Sequence, residues 1–330
     1  MAERSDFPFV SIVVPAYNAA GTLAACLDAL HAQSYPRDCY EVIVVDDAST
    51  DETVQIARRA GAQVVAEGKL GKSGVRNRGA QEARGEIVLF TDADCEPLPT
   101  WVETMVAPFR RDPEVVGVKG AYLSRQREPL ARFTQVEVEE RYDRMARQET
   151  IDFIDTYAAG YRRDLFLEFG GFDETLPEVE DQDLSFRLAR AGKKMLFIPD
   201  ARVYHRHATS VRRYFWRKFA IATWKHLLIN RYPERFLSDS RTPQSLKVQM
   251  GLALLMTLLA VPALFAPAAR RALAGVSVAF LLACFPFLRK AARRDPAILP
   301  FSLVMLWVRA EALVLGYLKG ILKFRGRKTA

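Results

Sequence analysis

Apolar and polar positions alternate along residues 1–200 in blocks that predict strands and helices in turn. Four short apolar runs, rich in β-branched side chains, are typical of strands buried on both faces: residues 9–16, 40–45, 63–66 and 87–91. Three segments between them are predicted helices: residues 22–33, which have amphipathic apolar spacing, residues 49–60, which begin with a possible capping box, and residues 73–84. This order predicts an α/β fold, a Rossmann-like, mainly parallel sheet with helices on both faces.

The pattern changes after residue 200, where long apolar segments replace the alternation. Residues 211–229 mix aromatic, aliphatic and basic side chains at helical spacing, which indicates a helix in a membrane interface. Residues 248–269 and 272–288 contain no charged side chain, and the first run is long enough to cross a bilayer. A third apolar stretch, residues 297–322, contains Arg309 and Glu311, so it is either a span with an internal ion pair or an interfacial helix.

This change divides the chain into three predicted regions. Residues 1–208 form the α/β domain, residues 209–245 an amphipathic interfacial helix and linker, and residues 246–330 a hydrophobic membrane region. We expect about two transmembrane helices in the last region, with the third apolar segment at the interface. A buried helical hairpin of a soluble protein is the alternative for the apolar runs.

Charge follows the same division. Residues 1–200 contain 24 Lys and Arg against 35 Asp and Glu, whereas residues 201–330 contain 23 against 4. An acidic domain joined to a basic, apolar region indicates a protein that meets anionic lipid, and it argues against nucleic-acid binding. Basic clusters flank the apolar runs: Arg241 and Lys247, then Arg289, Lys290, Arg293 and Arg294, then Lys319, Lys323, Arg325, Arg327 and Lys328. The positive-inside rule places all three clusters in the cytoplasm.

Cysteine usage and the N-terminus predict the same compartment. Cys26, Cys39, Cys95 and Cys284 form no CxxC pair, so a disulfide framework or zinc site is not indicated. The first ten residues lack the apolar core of a signal peptide. We therefore expect the α/β domain to face the cytoplasm from the inner membrane.

Polar side chains follow three of the predicted strands, at the edge where parallel sheets bind ligands. They are Tyr17 and Asn18, then Asp46 and Asp47, then Asp92 and Asp94. Two carboxylates separated by one residue, as in Asp92-Ala93-Asp94, can hold Mg²⁺ or Mn²⁺ at a diphosphate. The same spacing also occurs in ordinary surface turns.

Further candidate residues lie outside these strand ends. Glu180 and Asp181 precede a predicted helix at residues 184–191, and Asp181 is our candidate for a base that deprotonates an attacking hydroxyl. His205 follows another apolar stretch and is a candidate metal ligand. Lys72 and Arg76 lie in GKSGVRNRGA and are candidates for phosphate contact. Neither a P-loop nor a GxGxxG motif is present, which argues against dinucleotide binding.

Five motifs in order resemble those of family 2 glycosyltransferases with the GT-A fold. They are SIVVPAYNAAGTLAACLDAL, EVIVVDDASTDET, GVRNRGA, TDADCEP and AAGYRRDLFLEFGGFDETLPEVEDQDLSFRLARAG. The resemblance covers residues 9–207. It implies an inverting transfer from a nucleotide diphosphate sugar, in which the acceptor hydroxyl displaces the leaving group directly and a metal stabilises the departing nucleoside diphosphate.

The resemblance also implies roles for individual residues. Donor contacts are expected from Pro15, Ala16, Tyr17, Asn18, Asp46, Asp47, Lys72, Arg76, Asp92 and Ala93. Metal ligands are expected at Asp94, Asp92 and His205, with Mg²⁺ or Mn²⁺ as the cofactor. Asp181 is the expected catalytic base, with Glu180 beside it in the acceptor site.

One departure from the family bears on the product. Processive polysaccharide synthases of this family carry Gln-x-x-Arg-Trp after the base, whereas this chain has SVRRYFWRKF, with Arg and Trp in a different order. Trp216 is an expected acceptor contact. We therefore expect one sugar to be transferred to a membrane lipid or lipid-linked glycan in cell-envelope polysaccharide biosynthesis. The alternatives are a processive synthase, a non-catalytic membrane scaffold with a transferase fold, and a pyrophosphorylase-type nucleotidyltransferase.

Overall fold

The computed structural model describes residues 7–235, 239–240 and 242–325. An eight-stranded sheet in the first part of the chain has the order β3-β2-β1-β4-β7-β6-β8-β5. Its strands are β1 (Val10–Ala16), β2 (Tyr40–Asp47), β3 (Gln63–Glu67), β4 (Ile87–Phe90), β5 (Glu96–Pro97), β6 (Val115–Leu123), β7 (Ala159–Arg162) and β8 (Lys194–Tyr204). The first four strands lie within about two residues of the positions expected from the apolar runs.

The sheet is mixed, and its first four strands in sequence pair with one another in parallel. Strand β1 pairs in parallel with β2 and β4, β2 with β3, and β6 with β8. The other pairs, β4 with β7, β6 with β7 and β5 with β8, are antiparallel. Helices lie on both sides of the sheet, so the predicted α/β class is confirmed.

Helices in the described residues account for most of the remaining chain. They are α1 (Leu23–His31), α2 (Thr53–Arg59), α3 (Gly71–Glu82), α4 (Trp101–Arg111), α5 (Pro129–Met145), α6 (Arg163–Glu168), α7 (Glu180–Arg190), α8 (Val211–Arg231), α9 (Gln244–Ala260), α10 (Pro262–Phe265), α11 (Pro267–Arg294) and α12 (Leu299–Lys323). Helix α7 begins four residues before the predicted start at residue 184, so Glu180 and Asp181 lie in its first turn.

The chain forms two compact units. Unit 1 contains the sheet, in residues up to 125 and 145–206, and unit 2 contains residues 126–144 and those from 207 on. Helix α5 is therefore part of unit 2, although it lies between β6 and β7 in sequence. Its side chains Leu130, Phe133 and Val136 are buried in the same core cluster as Phe287 and Leu306. The domain limits expected from the sequence stay a prediction, with this internal segment as the difference.

Prolines divide the first apolar run of unit 2. The run at residues 248–269 is split into α9, α10 and the start of α11, which begin anew at Pro262 and Pro267 because proline cannot donate to a preceding helical turn. Helix α9 has 17 residues, short of the ~20 that a bilayer needs. Among the residues that the structure describes, the helices long and apolar enough to cross a membrane are residues 267–294 and 296–323, so the predicted third segment is one of the two. Arg241, Arg327 and Lys328 lie outside the described residues.

Arg309 and Glu311 in α12 do not form the ion pair considered above. The Arg309 Nη2 donates to Gln249 Oε1 at 2.8 Å, and Glu311 Oε1 accepts from Thr257 Oγ1 at 2.6 Å. Residues two apart on a helix point in different directions, and each of these two side chains has a hydrogen-bond partner on α9.

Candidate active site

The loops after β1 and β2 are held together by side-chain hydrogen bonds. The Asn18 backbone N–H donates to Ser49 Oγ at 2.8 Å, and the Thr50 N–H donates to Asn18 Oδ1 at 2.9 Å. Asn18 and Ala48 have positive φ angles of 46° and 63°. This conformation is uncommon outside glycine and most costly for Ala48, and such strain clusters at functional sites. The two loops therefore form one rigid rim at the carboxyl edge of the sheet.

The two aspartates at the end of β2 have different surroundings. Asp46 is buried, and its Oδ2 accepts the Ser49 N–H at 3.0 Å, whereas its buried Oδ1 has no hydrogen-bond partner among the described residues. Asp47 Oδ1 accepts the N–H groups of Leu70 and Gly71 at 2.6 and 2.9 Å, at the start of α3. A buried acceptor without a partner costs free energy, so Asp46 is the aspartate with an oxygen to offer a ligand.

Arg76 and Asp92 form a buried ion pair at the centre of this edge. Arg76 Nη2 lies 2.6 Å from Asp92 Oδ1, and the arginine side chain is 6% exposed. Burial lowers the pKa of Arg76, but Asp92 and Glu180 raise it more, so the guanidinium keeps its charge. Helix α3 carries Arg76 to this place because it packs tightly on β1, where a Cβ at Gly79 would lie 2.3 Å from Val13 Cγ1.

Asp94, Cys95 and His205 form a group with the donor atoms of a metal site. One carboxylate oxygen, the Cys95 Sγ and one imidazole nitrogen lie within 4.8 Å of one another. Cys95 and His205 are buried. Two ligands of one divalent ion are separated by up to about 4.5 Å, so the group fits such an ion after small shifts. The roles predicted for Asp94 and His205 are compatible with this geometry, and Asp92 instead contacts Arg76.

Aromatic rings surround His205. Its ring centroid lies 4.4 Å from that of Tyr157 and 5.7 Å from that of Tyr122. The Tyr122 hydroxyl donates to Asp155 Oδ2, and Asp155 Oδ1 lies 2.6 Å from the buried Lys119 Nζ. This chain of contacts fixes the position of the imidazole from the interior, as supporting groups do around metal ligands.

Acidic residues open α7 near the same edge. Asp181 is half-buried, and its Oδ1 accepts the Gln182 N–H at 2.7 Å. Burial, followed by the charge of Asp181, raises the pKa of Tyr161 on β7 well above its ordinary value. Asp183 is fully buried against Arg187 at 2.8 Å, so its role is structural.

The other predicted site residues differ in how deeply they are buried. Pro15 is half-buried, and Ala16 and Ala93 are buried. Lys72 is exposed, and its Nζ lies 3.3 Å from Glu178 Oε1, away from the ion pair of Arg76. Trp216 is 54% exposed and belongs to unit 2. The roles of all predicted site residues stay predictions.

Three residues near the site were missed by the sequence reasoning. Cys95 is one, although it directly follows the Asp92-Ala93-Asp94 triplet. Lys69 Nζ lies 5.3 Å from the Tyr17 ring centroid. Asn77 exchanges hydrogen bonds of 2.8 Å with the backbone of Phe172, which fastens α3 to the loop before α7. Asn77 lies in the quoted GVRNRGA motif, and its position between two basic residues was the available signal.

Comparisons with known proteins agree with the motifs. Residues 11–170 match the family model described as Glycosyl transferase family 2. The glycosyltransferase AglE of Haloferax volcanii is 30% identical over 207 residues, which cover 59% of this chain and 66% of that protein. The pre-mycofactocin glycosyltransferase of Mycobacterium tuberculosis is 29% identical over 237 residues, 68% of this chain and 48% of that protein. The chain thus spans about half to two thirds of these relatives.

Solved structures share the fold. The mannosyltransferase PcManGT from Pyrobaculum calidifontis, in complex with GDP-Man and Mn²⁺, aligns with a TM-score of 0.56 and 22% identity. The alignment covers 96% of this chain and 87% of that one. GalNAc-T7 with UDP, GalNAc and Mn²⁺ aligns with a TM-score of 0.50 and 18% identity, over 73% of this chain and 53% of that one. The resemblance inferred from the five motifs is therefore confirmed at the level of family and fold.

Proposed function

The chain carries a family 2 glycosyltransferase domain in residues 11–170, and from this premise we propose that it transfers one sugar from a nucleotide diphosphate sugar to a membrane-associated acceptor. The observation that carries the proposal is that Arg76 faces two carboxylates at the carboxyl edge of the sheet, Asp92 at 2.6 Å and the buried Glu180. An edge with this charge needs a cation, and a metal-bound diphosphate brings one.

The donor nucleotide is recognised by the rim formed by the loops after β1 and β2. The buried Asp46 Oδ1 accepts an N–H of the base, which would give the atom the partner that it needs. Tyr17 is 53% exposed and offers its ring to the base. Arg76 lies deeper and faces the phosphates through its remaining N–H groups, because guanidinium geometry suits phosphate oxygens. Asp47 serves the rim indirectly by fixing the start of α3.

Mg²⁺ or Mn²⁺ would be held by Asp94 and His205, with Asp92 close by. When bound, the ion neutralises the charge that develops on the leaving diphosphate. Hard oxygen donors suit both ions, and the Mn²⁺ in the two aligned structures supports a divalent metal here. The rings of Tyr122 and Tyr157 would keep the His205 imidazole in place and restrict water.

Asp181 acts as the base. Its carboxylate lies in the first turn of α7, where the helix dipole stabilises the ionised form that accepts a proton. The acceptor hydroxyl gives its proton to Asp181 as its oxygen attacks the anomeric carbon, and the diphosphate leaves from the opposite face, so the configuration is inverted. Glu180 is buried and its charge acts on Arg76, which links the acceptor side of the site to the donor side.

Unit 2 attaches the enzyme to the inner membrane from the cytoplasmic side. Its helices expose many apolar side chains, among them Leu258, Leu264, Phe265, Leu282 and Leu322 at 62–81%. Soluble surfaces rarely leave so much large apolar area uncovered. Basic residues at the ends of α11 and α12 suit anionic headgroups. This attachment supports a membrane lipid or lipid-linked glycan as the acceptor, for which Trp216 is a candidate contact.

Nucleotide release by detergent-solubilised full-length protein tests the function. UDP-, GDP- and dTDP-sugars are offered with Mn²⁺ or Mg²⁺ and a lipid extract. We expect release from one donor, its loss on chelation, and at least a hundredfold loss in Asp94→Ala. Product length on the lipid separates single transfer from processive synthesis. No release and no nucleotide binding by calorimetry would support the scaffold instead.

A further inference from the structure

The metal-ligand group contains a cysteine that the family motifs do not assign. Cys95 directly follows Asp94, and its Sγ lies 3.9 Å from Asp94 Oδ1. The same sulfur belongs to the set of three donor atoms, with a carboxylate oxygen and an imidazole nitrogen of His205, that lie within 4.8 Å of one another. An oxygen, a nitrogen and a sulfur donor atom therefore lie close together.

The position of Cys95 is fixed by the turn after β4. Its backbone N–H donates to the Asp92 carbonyl at 2.9 Å, which closes the turn and directs residues 94 and 95 toward His205 at the end of β8. Strand β5 follows at once and pairs with β8, with Glu96 opposite Tyr204. Because His205 is the next residue after Tyr204, the pairing of these two strands brings the thiol and the imidazole together.

We propose that Cys95 is a ligand of the divalent metal in this site. On coordination the metal–sulfur bond forms, the S–H bond breaks, and the thiol proton passes to solvent, so one proton is released for each ion bound. The inference rests on the proposed function only in taking a divalent metal to bind at Asp94 and His205.

A sulfur donor changes which ions the site prefers. Carboxylate sites without sulfur favour hard ions such as Mg²⁺, whereas thiolate favours softer ions. We therefore expect Co²⁺, Zn²⁺ and Cd²⁺ to bind this site more tightly than Mg²⁺, and Mn²⁺ to outcompete Mg²⁺.

Cobalt spectroscopy on the full-length protein in detergent tests the proposal directly. Co²⁺ is titrated alone, without donor, and two signals are followed: visible bands, which report any bound Co²⁺, and a near-ultraviolet charge-transfer band, which reports a Co²⁺–thiolate bond. The wild type is compared with Cys95→Ser and with Cys26→Ser. Cys26 is the matched control, since it is equally buried and its Sγ lies 3.6 Å from the Asp92 carbonyl oxygen, outside the donor group.

We expect the charge-transfer band in the wild type and in Cys26→Ser, and its loss in Cys95→Ser with at least about tenfold weaker Co²⁺ binding. Visible bands without charge transfer in the wild type would overturn the proposal, and so would a charge-transfer band that persists in Cys95→Ser. The wild-type spectrum alone decides the first of these, even if a variant fails to fold. Metal-dependent sugar transfer without a thiolate band would reject the role of Cys95 and leave the proposed function standing. Absence of every Co²⁺ signal would reject a metal site at Asp94 and His205, and with it the role of Cys95, while nucleotide release decides the proposed function separately.

Discussion

The two units of the chain both bury charged side chains, but they balance those charges in opposite ways. In unit 1, the buried Arg76 faces two carboxylates: its Nη2 lies 2.6 Å from Asp92 Oδ1, and the charge of Glu180 also acts on it. In unit 2, the buried carboxylate of Glu137 contacts Lys218 at 2.5 Å, Arg309 at 3.8 Å and the Tyr214 hydroxyl at 3.0 Å. The first arrangement has an excess of negative charge, whereas in the second two cations surround one carboxylate.

The difference separates a site from a structural contact. Carboxylates that face one another destabilise the fold unless a cation joins them, so their persistence at a strand edge indicates a ligand. Glu137 instead has its pKa held well below the ordinary range, because Lys218 and Arg309 outweigh the effect of burial. Its contacts join α5, α8 and α12, which explains why α5 folds with unit 2. Changes in the two regions should therefore affect different properties.

The largest expected effect is on catalysis, at Asp181. Replacing it by Asn removes the proton acceptor and keeps the shape, so we expect transfer to fall by roughly 10²–10⁴-fold with donor binding and melting temperature unchanged. Initial rates measure the loss of transfer, and calorimetry measures the donor affinity.

Glu178→Gln is the control for Asp181→Asn. Glu178 lies in the loop before α7 and pairs with the exposed Lys72, so this variant should transfer sugar at close to the wild-type rate. Equal losses in both variants would show that the charge of the whole loop matters rather than a base at Asp181.

The sequence predicted the part of the site that depends on strand ends. The apolar runs before Asp46 and Asp92 are long and β-branched, so the strands and the edge they share followed from local patterning. Contacts between distant segments did not. Ser49 and Glu52 have the spacing of a capping box, yet Ser49 Oγ accepts from Asn18, which only tertiary structure brings there.

Helix packing was the other part that local patterning could not reach. Helix α5 lies between two strands of unit 1 in sequence, yet its Glu137 is buried beside Lys218 and Arg309 of unit 2, which are far away in sequence. Pro262 and Pro267 are plain in the sequence, but the absence of charge over residues 248–269 favoured a membrane-spanning helix there. The sequence does not show that Cys95 lies near His205, because this proximity depends on the pairing of β5 with β8.

The next largest effect is on stability, at Glu137. Glu137→Gln leaves two buried cations facing each other, so we expect the free energy of unfolding to fall by about 3–5 kcal/mol. Thermal unfolding in detergent measures this loss. Glu139→Gln is the matched control on the same helix, because its partner Arg294 is 63% exposed, and it should cost under about 1 kcal/mol. Similar losses in both variants would contradict the structural role of the cluster.

The smallest effect concerns the contact between α8 and α12 in unit 2. A Cβ at Gly316 would lie 2.3 Å from the Phe219 carbonyl oxygen, so Gly316→Ala should separate the helices and lower stability by about 1–3 kcal/mol. Gly275→Ala on α11 is the control, because nothing lies within 4 Å of its Cβ, and it should leave the melting temperature unchanged or raise it. A destabilised Gly275→Ala would show that helix flexibility matters instead.

The most direct test of the contrast between the two units is to measure transfer rate and melting temperature together in Asp181→Asn and Glu137→Gln, at a temperature where both are folded. We predict that Asp181→Asn loses its rate at an unchanged melting temperature, and that Glu137→Gln melts earlier while each folded molecule transfers sugar at close to the wild-type rate. A variant of Asp181 that stays active, or a folded Glu137→Gln that is inactive, would contradict the assignment of catalysis to the strand edge of unit 1.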